Sequence, residues 1–156
     1  MGEPLSLAVN VMKLVTNAFA ASREVHSAVE AISNAPEHIK AIAGDLEDVY
    51  SILGCLKGYL EDVEMSAGVL QAAEKVNIAS VIENCLQIFM RINLLVNSYN
   101  SRGHRGGIGD MGNWRKIKYS FKLAEIEALR SQLGAHKMTL NMGISLVNLS
   151  VIILWS

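Results

Sequence analysis

Proline occurs only at Pro4 and Pro36. Beyond Pro36 no proline is present to break a helix outright, and glycine is the residue type that most weakens one. Cysteine is as scarce. Cys55 and Cys85 stand alone, without a CxxC or Cys/His spacing. That argues against a disulfide framework or a zinc site and fits two reduced, buried thiols in a cytosolic protein. His26, His38, His104 and His136 are scattered and form no ligand pattern. There is no HExxH and no Ser/His/Asp order around a nucleophile elbow. Glu125 and Glu127 are two apart and point away from each other on a helix. The inventory therefore points to no enzyme, no cofactor and no metal. Net charge is −1, so bulk attraction to nucleic acid is not implied. No uninterrupted apolar run reaches the ~18 residues of a conventional transmembrane helix. The start lacks a basic segment, and Asn10 and Lys13 interrupt its apolar run, unlike a secretory signal. Met1-Gly2-Glu3-Pro4-Leu5-Ser6 fits the myristoylation pattern formally, with Glu3 a poor context for it.

What is present is apolar and periodic. Hydrophobic residues make up 51% of the 156, and charged ones 19%, enough for one domain over 1–156 with a real core. From Trp114 to Trp155, apolar residues recur every seventh position: Tyr119, Ile126, Leu133, Leu140, Val147, Leu154. Leu123, Leu129, Ile144 and Val151 widen that line into a stripe, which is the pattern of a helix packed on other helices. Such a helix exceeds a compact domain of this size, so it either breaks near Gly134 or Gly143 or stands clear at its end. Its last turns (Ile144, Leu146, Val147, Leu149, Val151, Ile152, Ile153, Leu154, Trp155) are apolar on nearly every side and call for a cover: a neighbouring helix, a second copy or lipid.

Three further helices precede it. Pro4 suits a first helical position. Leu7, Val11, Leu14, Ala18, Ala21, Val25, Ala28 and Ile32 make one seam, and Leu5, Ala8, Met12, Val15 and Phe19 a second beside it. From Leu5 to Ala21 the only charge is Lys13. This wide face fits a broadly buried helix, or one able to leave the bundle for a membrane. Asn34-Ala35-Pro36 ends it. In the second helix Ile39, Ile42, Leu46, Val49, Leu53, Leu56, Leu60 and Val63 alternate by three and four, and Gly44, Gly54 and Gly58 suggest close helix contacts. In the third, Ile78, Ile82, Cys85, Phe89, Ile92, Val96 and Tyr99 do the same. The predicted fold is all-α, a four-helix bundle over about 4–33, 37–64, 70–99 and 114–155.

Charge is unevenly placed. Asp45 to Glu64 holds six carboxylates against Lys57, and Arg102 to Lys122 holds six Lys/Arg against Asp110. Either run is a solvated face, or contacts the other, a partner or an anionic membrane. Between the third and fourth helices, Gly107-Ile108-Gly109-Asp110-Met111-Gly112 spells G-x-G-x-x-G. A helix precedes it rather than a strand, so the dinucleotide reading is empty. On the first helix, Ser22 and His26 fall on the second seam and read as a satisfied buried pair rather than a catalytic one.

Specific runs carry a family likeness. They are Glu3-Pro4-Leu5-Ser6-Leu7-Ala8, then Asp45-Leu46-Glu47-Asp48-Val49 with Ile52-Leu53. The most specific is Trp114, Ile117-Lys118-Tyr119-Ser120-Phe121, Glu125-Ile126, Leu129, Leu133, His136-Lys137 and Thr139-Leu140-Asn141. In order and spacing the chain resembles the HeLo-like N-terminal domain of fungal STAND (NOD-like) receptors. The resemblance is also to the four-helix cell-death domain of the necroptosis pseudokinase.

The resemblance implies a helical effector at the front of an intracellular receptor, or a smaller protein split from one. Related members act in programmed cell death of the heterokaryon-incompatibility kind. An upstream receptor or amyloid-type signal clusters them, and the first helix then targets the plasma membrane. The expected function is thus a cytoplasmic cell-death effector that homo-oligomerises and relocates to anionic plasma-membrane lipid. The alternative is a helical oligomerisation module that never touches lipid. Residues expected to meet lipid or to oligomerise are Leu5, Leu7, Val11, Met12, Lys13, Leu14, Val15, Phe19, Arg102, Arg105, Arg115, Lys116 and Lys118. Those expected at a self-association face are Val147, Val151, Leu154 and Trp155.

Overall fold

The computed structural model describes residues 3–32, 35–62, 77–103 and 111–155, with side chains over 10–32, 35–62, 77–97, 123–149 and at 152. The chain forms α1 (Glu3–Glu30), α2 (Glu37–Glu61), α3 (Ile78–Gly103) and α4 (Met111–Trp155), and among the described residues there is no strand. The predicted four-helix, all-α class is what forms. Two boundaries move outward: α3 continues to Gly103, past Tyr99, and α4 starts at Met111, so the glycine-rich connection between them is short. The predicted stretch of the third helix before Asn77 lies outside the described residues.

The helix ends follow local chemistry. Pro36 sits in extended backbone, and its carbonyl accepts from the amides of Ile39 and Lys40, both at 3.0 Å, which seeds the first turn of α2. At the far end, the Asp62 amide donates to the carbonyls of Gly58 and Tyr59, both at 3.2 Å. Asn77 enters α3 from the left-handed region at φ 52°, which asparagine tolerates better than most side chains. Its carbonyl accepts from the Val81 amide at 3.3 Å.

Packing sets the order around the bundle. α1 lies against α2 and α3, and α4 lies against α2 and α3, giving the ring α1–α2–α4–α3. Moving along α1 from Phe19 to His26 moves back along α2 from Gly54 to Tyr50, so these helices are antiparallel. Asp45 meets Arg130, Asp48 meets Lys137 and Tyr59 meets Asn148, so α2 and α4 run parallel. Ile78, at the start of α3, meets Gly143 in the second half of α4, so that pair is antiparallel.

The core is one apolar cluster. Ile39, Ile42, Leu46, Val49, Leu53 and Leu56 of α2 are buried in it as the three-four pattern predicts. Ile78, Ile82, Cys85, Phe89, Ile92 and Val96 of α3 and Ile126, Leu129, Leu133, Leu140 and Val147 of α4 join them. α1 differs from expectation. Its buried line is Val11, Val15, Ala18, Ser22, Val25, Val29 and Ile32, which runs between the two seams. Met12, Leu14, Phe19, Ala21 and Ala28 flank it half-buried.

The glycine expectations are corrected. α4 does not break at Gly134 or Gly143. Gly143 is a contact: a Cβ there would stand 2.9 Å from Ile78 Cδ1. In α2 only Gly54 marks close packing, since a Cβ there would stand 3.1 Å from Phe19 Cε2, while Gly44 and Gly58 face open space. At 45 residues α4 is about 68 Å long, against about 38 Å for the 25-residue α2 and 26-residue α3. It therefore overhangs its neighbours, the other outcome the sequence allows. Among the described residues one segment, Ile78–Asn97 of α3, is long and apolar enough on average to span a membrane, with mean hydropathy 1.3. It is the bundle helix whose inner line is core, and it carries exposed Glu83 and Arg91.

Candidate functional site

The topology gathers helix ends at one pole of the bundle. Tyr59, two residues before α2 stops, donates its hydroxyl to Asn148 Oδ1 at 3.1 Å. α4 then runs seven residues further, to Trp155. With α1 antiparallel to α2 and in register at Phe19–Gly54, α1 begins about 13 Å beyond the end of α2. The start of α1 and the end of α4 thus overhang at the same pole.

The outer face of α4 is apolar as it approaches that pole. Met138, Met142, Leu149 and Ile152 are 71%, 58%, 53% and 65% exposed, respectively. Their steps of four, seven and three place them in an arc of about 80° on one helix face, with Ser145 inside it. No charged residue follows Lys137. Large apolar side chains on a bundle's outer face lie opposite to where burial would place them, which makes the row a candidate contact surface.

The sequence-predicted site residues divide between the two poles. The helical turns that carry Leu5 and Leu7 share the α4-tail pole with those carrying Val151, Leu154 and Trp155; all five side chains lie outside the described residues. Lys13 is exposed near that pole. Arg102 ends α3, and Arg115, Lys116 and Lys118 begin α4, so they sit at the opposite pole; Arg105 lies outside the described residues. A membrane met end-on cannot touch Lys13 and that basic group together. Val11 and Val15 are fully buried in the bundle, and so is Val147. Val147 is therefore not a self-association residue of the folded bundle.

Electrostatics accounts for part of the acidic face. Asp45 Oδ2 accepts from Arg130 Nε at 2.7 Å, and Asp48 Oδ2 from Lys137 Nζ at 2.7 Å. α2 spends two carboxylates on α4, using cations beyond the Arg102–Lys122 run. Elsewhere Arg23 and Lys57 sit 5.7 Å and 5.5 Å from the Phe19 ring centre, a cation–aromatic arrangement that holds the α1–α2 seam.

Among the described residues no His/Cys/Asp/Glu group has a metal-holding arrangement. Burial pushes the Cys85 thiol up to about 12, far from thiolate chemistry at neutral pH. Cys55 is half-buried, and hydrogen bonding with it is the largest cause of the raised Tyr59 phenol pKa. Ser22 and His26 are not the pair expected. The Ser22 hydroxyl donates to the Phe19 carbonyl at 2.8 Å. The His26 ring stands edge-on to Tyr50 at 5.3 Å, with Nε2 3.5 Å from Glu30.

Residues 2–153 match the family described as the N-terminal part of the pigment biosynthesis cluster protein PigL, a family of fungal origin. The chain belongs to the PigL N-terminal family. The match spans all four helices and is compatible with the HeLo-like resemblance. No curated protein and no solved structure matches the chain. Within this PigL-type bundle, Met138 and Met142 went unremarked in the periodic reading. The signal available for them was the absence of charge after Lys137.

Proposed function

We propose that this PigL-type domain is a non-enzymatic cell-death effector of a fungal innate-immunity-type receptor, acting by self-association and membrane targeting. The observation that carries this is the exposed row Met138, Met142, Leu149 and Ile152 in a helix without charge after Lys137. An apolar core, whose one buried polar side chain among the described residues is Ser22, supports a role in binding rather than catalysis. Its partners are a second copy, plasma-membrane lipid and an upstream receptor or amyloid-type signal. Nucleic acid is not among them, and the domain works from the cytoplasm.

Targeting through α1 carries an energetic condition. Val11 and Val15 are buried with Ala18 between α1's neighbours, and full burial of each valine is worth about 1.5–3 kcal/mol. Pulling α1 out forfeits a sum comparable to the 5–15 kcal/mol that holds a whole domain together. Release of Leu5–Ala21 to lipid therefore requires clustering to supply the difference. The test is dye leakage from anionic vesicles with the protein clustered by a fused oligomerising tag. Wild type leaks and Leu14→Glu does not; equal, minimal leakage from both defeats the effector reading.

The second reading, an oligomerisation module that never touches lipid, draws on the same exposed row. It expects a stable dimer or tetramer in light scattering, made monomeric by Val151→Asp or Leu154→Asp.

A further inference from the structure

We infer that α1 is jointed at Phe19–Ser22, so that the turns before Phe19 leave the bundle while Ser22–Glu30 stays seated. This rests on the proposed function and narrows the part of α1 that is released. After Pro4, α1 contains neither glycine nor proline, so a joint has to come from a side chain that intrudes on the backbone ladder. Ser22 supplies it. Ser22 is the buried polar side chain of the described core, and its hydroxyl donates to the Phe19 carbonyl at 2.8 Å. In a helix that carbonyl belongs to the amide four residues on, that of Arg23. A serine hydroxyl that shares it competes with the backbone bond and favours bending at that turn.

The neighbours of α1 change at the same height. Phe19 lies against Gly54, and Ile78 against Gly143. Gly54 and Gly143 each precede the Tyr59–Asn148 contact by five residues on parallel helices, so all four residues share one level. The described part of α3 begins there, at Ile78, and α3 lies against α1. Ser22–Glu30 is thus flanked by both α2 and α3. Before Phe19, α2 is the one described helix beside α1, and it ends level with about Met12.

The two halves are also held differently. Beyond the joint, Val25, Val29 and Ile32 are buried, and the His26 ring stands edge-on to Tyr50. Before it, Val11, Val15 and Ala18 are the buried side chains of the described turns. Swinging out the first half exposes that trio alone. Removing the whole helix exposes both trios and breaks the His26–Tyr50 contact, so the partial release is the smaller step. Phe19, with Arg23 and Lys57 against its ring, is the pivot.

Native-state hydrogen exchange of unclustered protein in dilute urea, read amide by amide by NMR, tests the joint without a membrane. Amides of residues 12–18 are expected to open together, about tenfold more readily than those of residues 25–30, with a step between the two groups. Ser22→Ala removes the hydroxyl without adding bulk, and is expected to shrink the step several-fold while circular dichroism is unchanged. Ser27→Ala, at an exposed serine of the same helix, gains similar helix propensity and is expected to leave the step in place. Opening that decays smoothly from the start of α1 is end-fraying and overturns the joint. Equal protection of both halves, a step that survives Ser22→Ala, or one that Ser27→Ala also removes overturns it as well. Clustered on anionic vesicles, wild type is expected to leak dye several-fold faster than Ser22→Ala, and equal leakage by the two overturns the joint's part in release. A step without leakage by clustered wild type defeats the effector reading and leaves the joint standing. Leakage by wild type without a step defeats the joint alone.

Discussion

Tyr59 reaches from α2 to Asn148 of α4 at 3.1 Å, and this contact fixes how far the tail of α4 projects. It also makes an alkaline prediction. The Tyr59 phenol is held above its ordinary value, first by hydrogen bonding with Cys55 and then by burial. A raised pKa means folding favours the protonated phenol. That contribution is complete below pH ~10 and is lost as pH rises through the folded-state value. Urea midpoints measured from pH 9 to 11 are expected to fall for wild type and to fall less for Tyr59→Phe. Parallel curves would remove Tyr59 from the account.

The two thiols separate by burial. Cys85 is fully buried with its pKa pushed up to about 12, whereas Cys55 is half-buried. At pH 8, Ellman's reagent is expected to titrate Cys55 within minutes, and Cys85 only after denaturant is added. Cys55→Ser should leave the native protein silent to the reagent. Rapid loss of both thiols would mean that α3 opens readily.

Glycines in α4 test packing against propensity. Gly134 faces open space, so Gly134→Ala removes only the helix cost of glycine and stabilises by up to about 1 kcal/mol. Gly143→Ala gains the same propensity, but its Cβ falls 2.9 Å from Ile78 Cδ1, and Ile78 is fully buried with little room to move. No net gain is expected there, and Gly143→Leu is expected to cost about 1–3 kcal/mol through overpacking. Chemical denaturation of the three variants checks the order. A stabilised Gly143→Leu would refute the close α3–α4 approach.

The sequence displayed the fold because a three-four rhythm survives whatever partner a helix chooses. Ile39 to Leu56 and Ile78 to Val96 were legible for that reason, and both lines are in the core. α1 was harder. Two apolar seams side by side leave the buried line undetermined, and only the neighbours select the one through Ser22 and Val29. A glycine's role was equally hidden, since Gly134 and Gly143 look alike until Ile78 is set against one of them. The site was half legible. The apolar end of α4 was visible as text, but its meeting with the start of α1 follows from the ring order. The parting of Lys13 from the basic turns follows from it too, and no local pattern encodes that order.

Acid is expected to loosen the bundle through α4. Burial holds the His136 imidazole below its ordinary value, so folding favours the neutral ring. A depressed pKa gives stability that is present above the unfolded value of about 6.5 and lost as pH falls through the folded one. Thermal midpoints are expected to drop between pH 7.5 and 5.5, and His136→Gln should flatten that drop. An unchanged slope in the variant would place the acid sensitivity elsewhere than His136.

Helix release can be tested through Val15, which is fully buried on α1. Val15→Ala removes two buried methyl groups and leaves a small cavity, a change expected to cost roughly 2 kcal/mol. If α1 must leave the bundle before a membrane leaks, weakening its seat lowers that barrier, and clustered Val15→Ala protein should leak anionic vesicles faster than wild type. Leakage no faster than wild type, with the loss of stability confirmed by denaturation, would mean that α1 stays seated while the membrane opens.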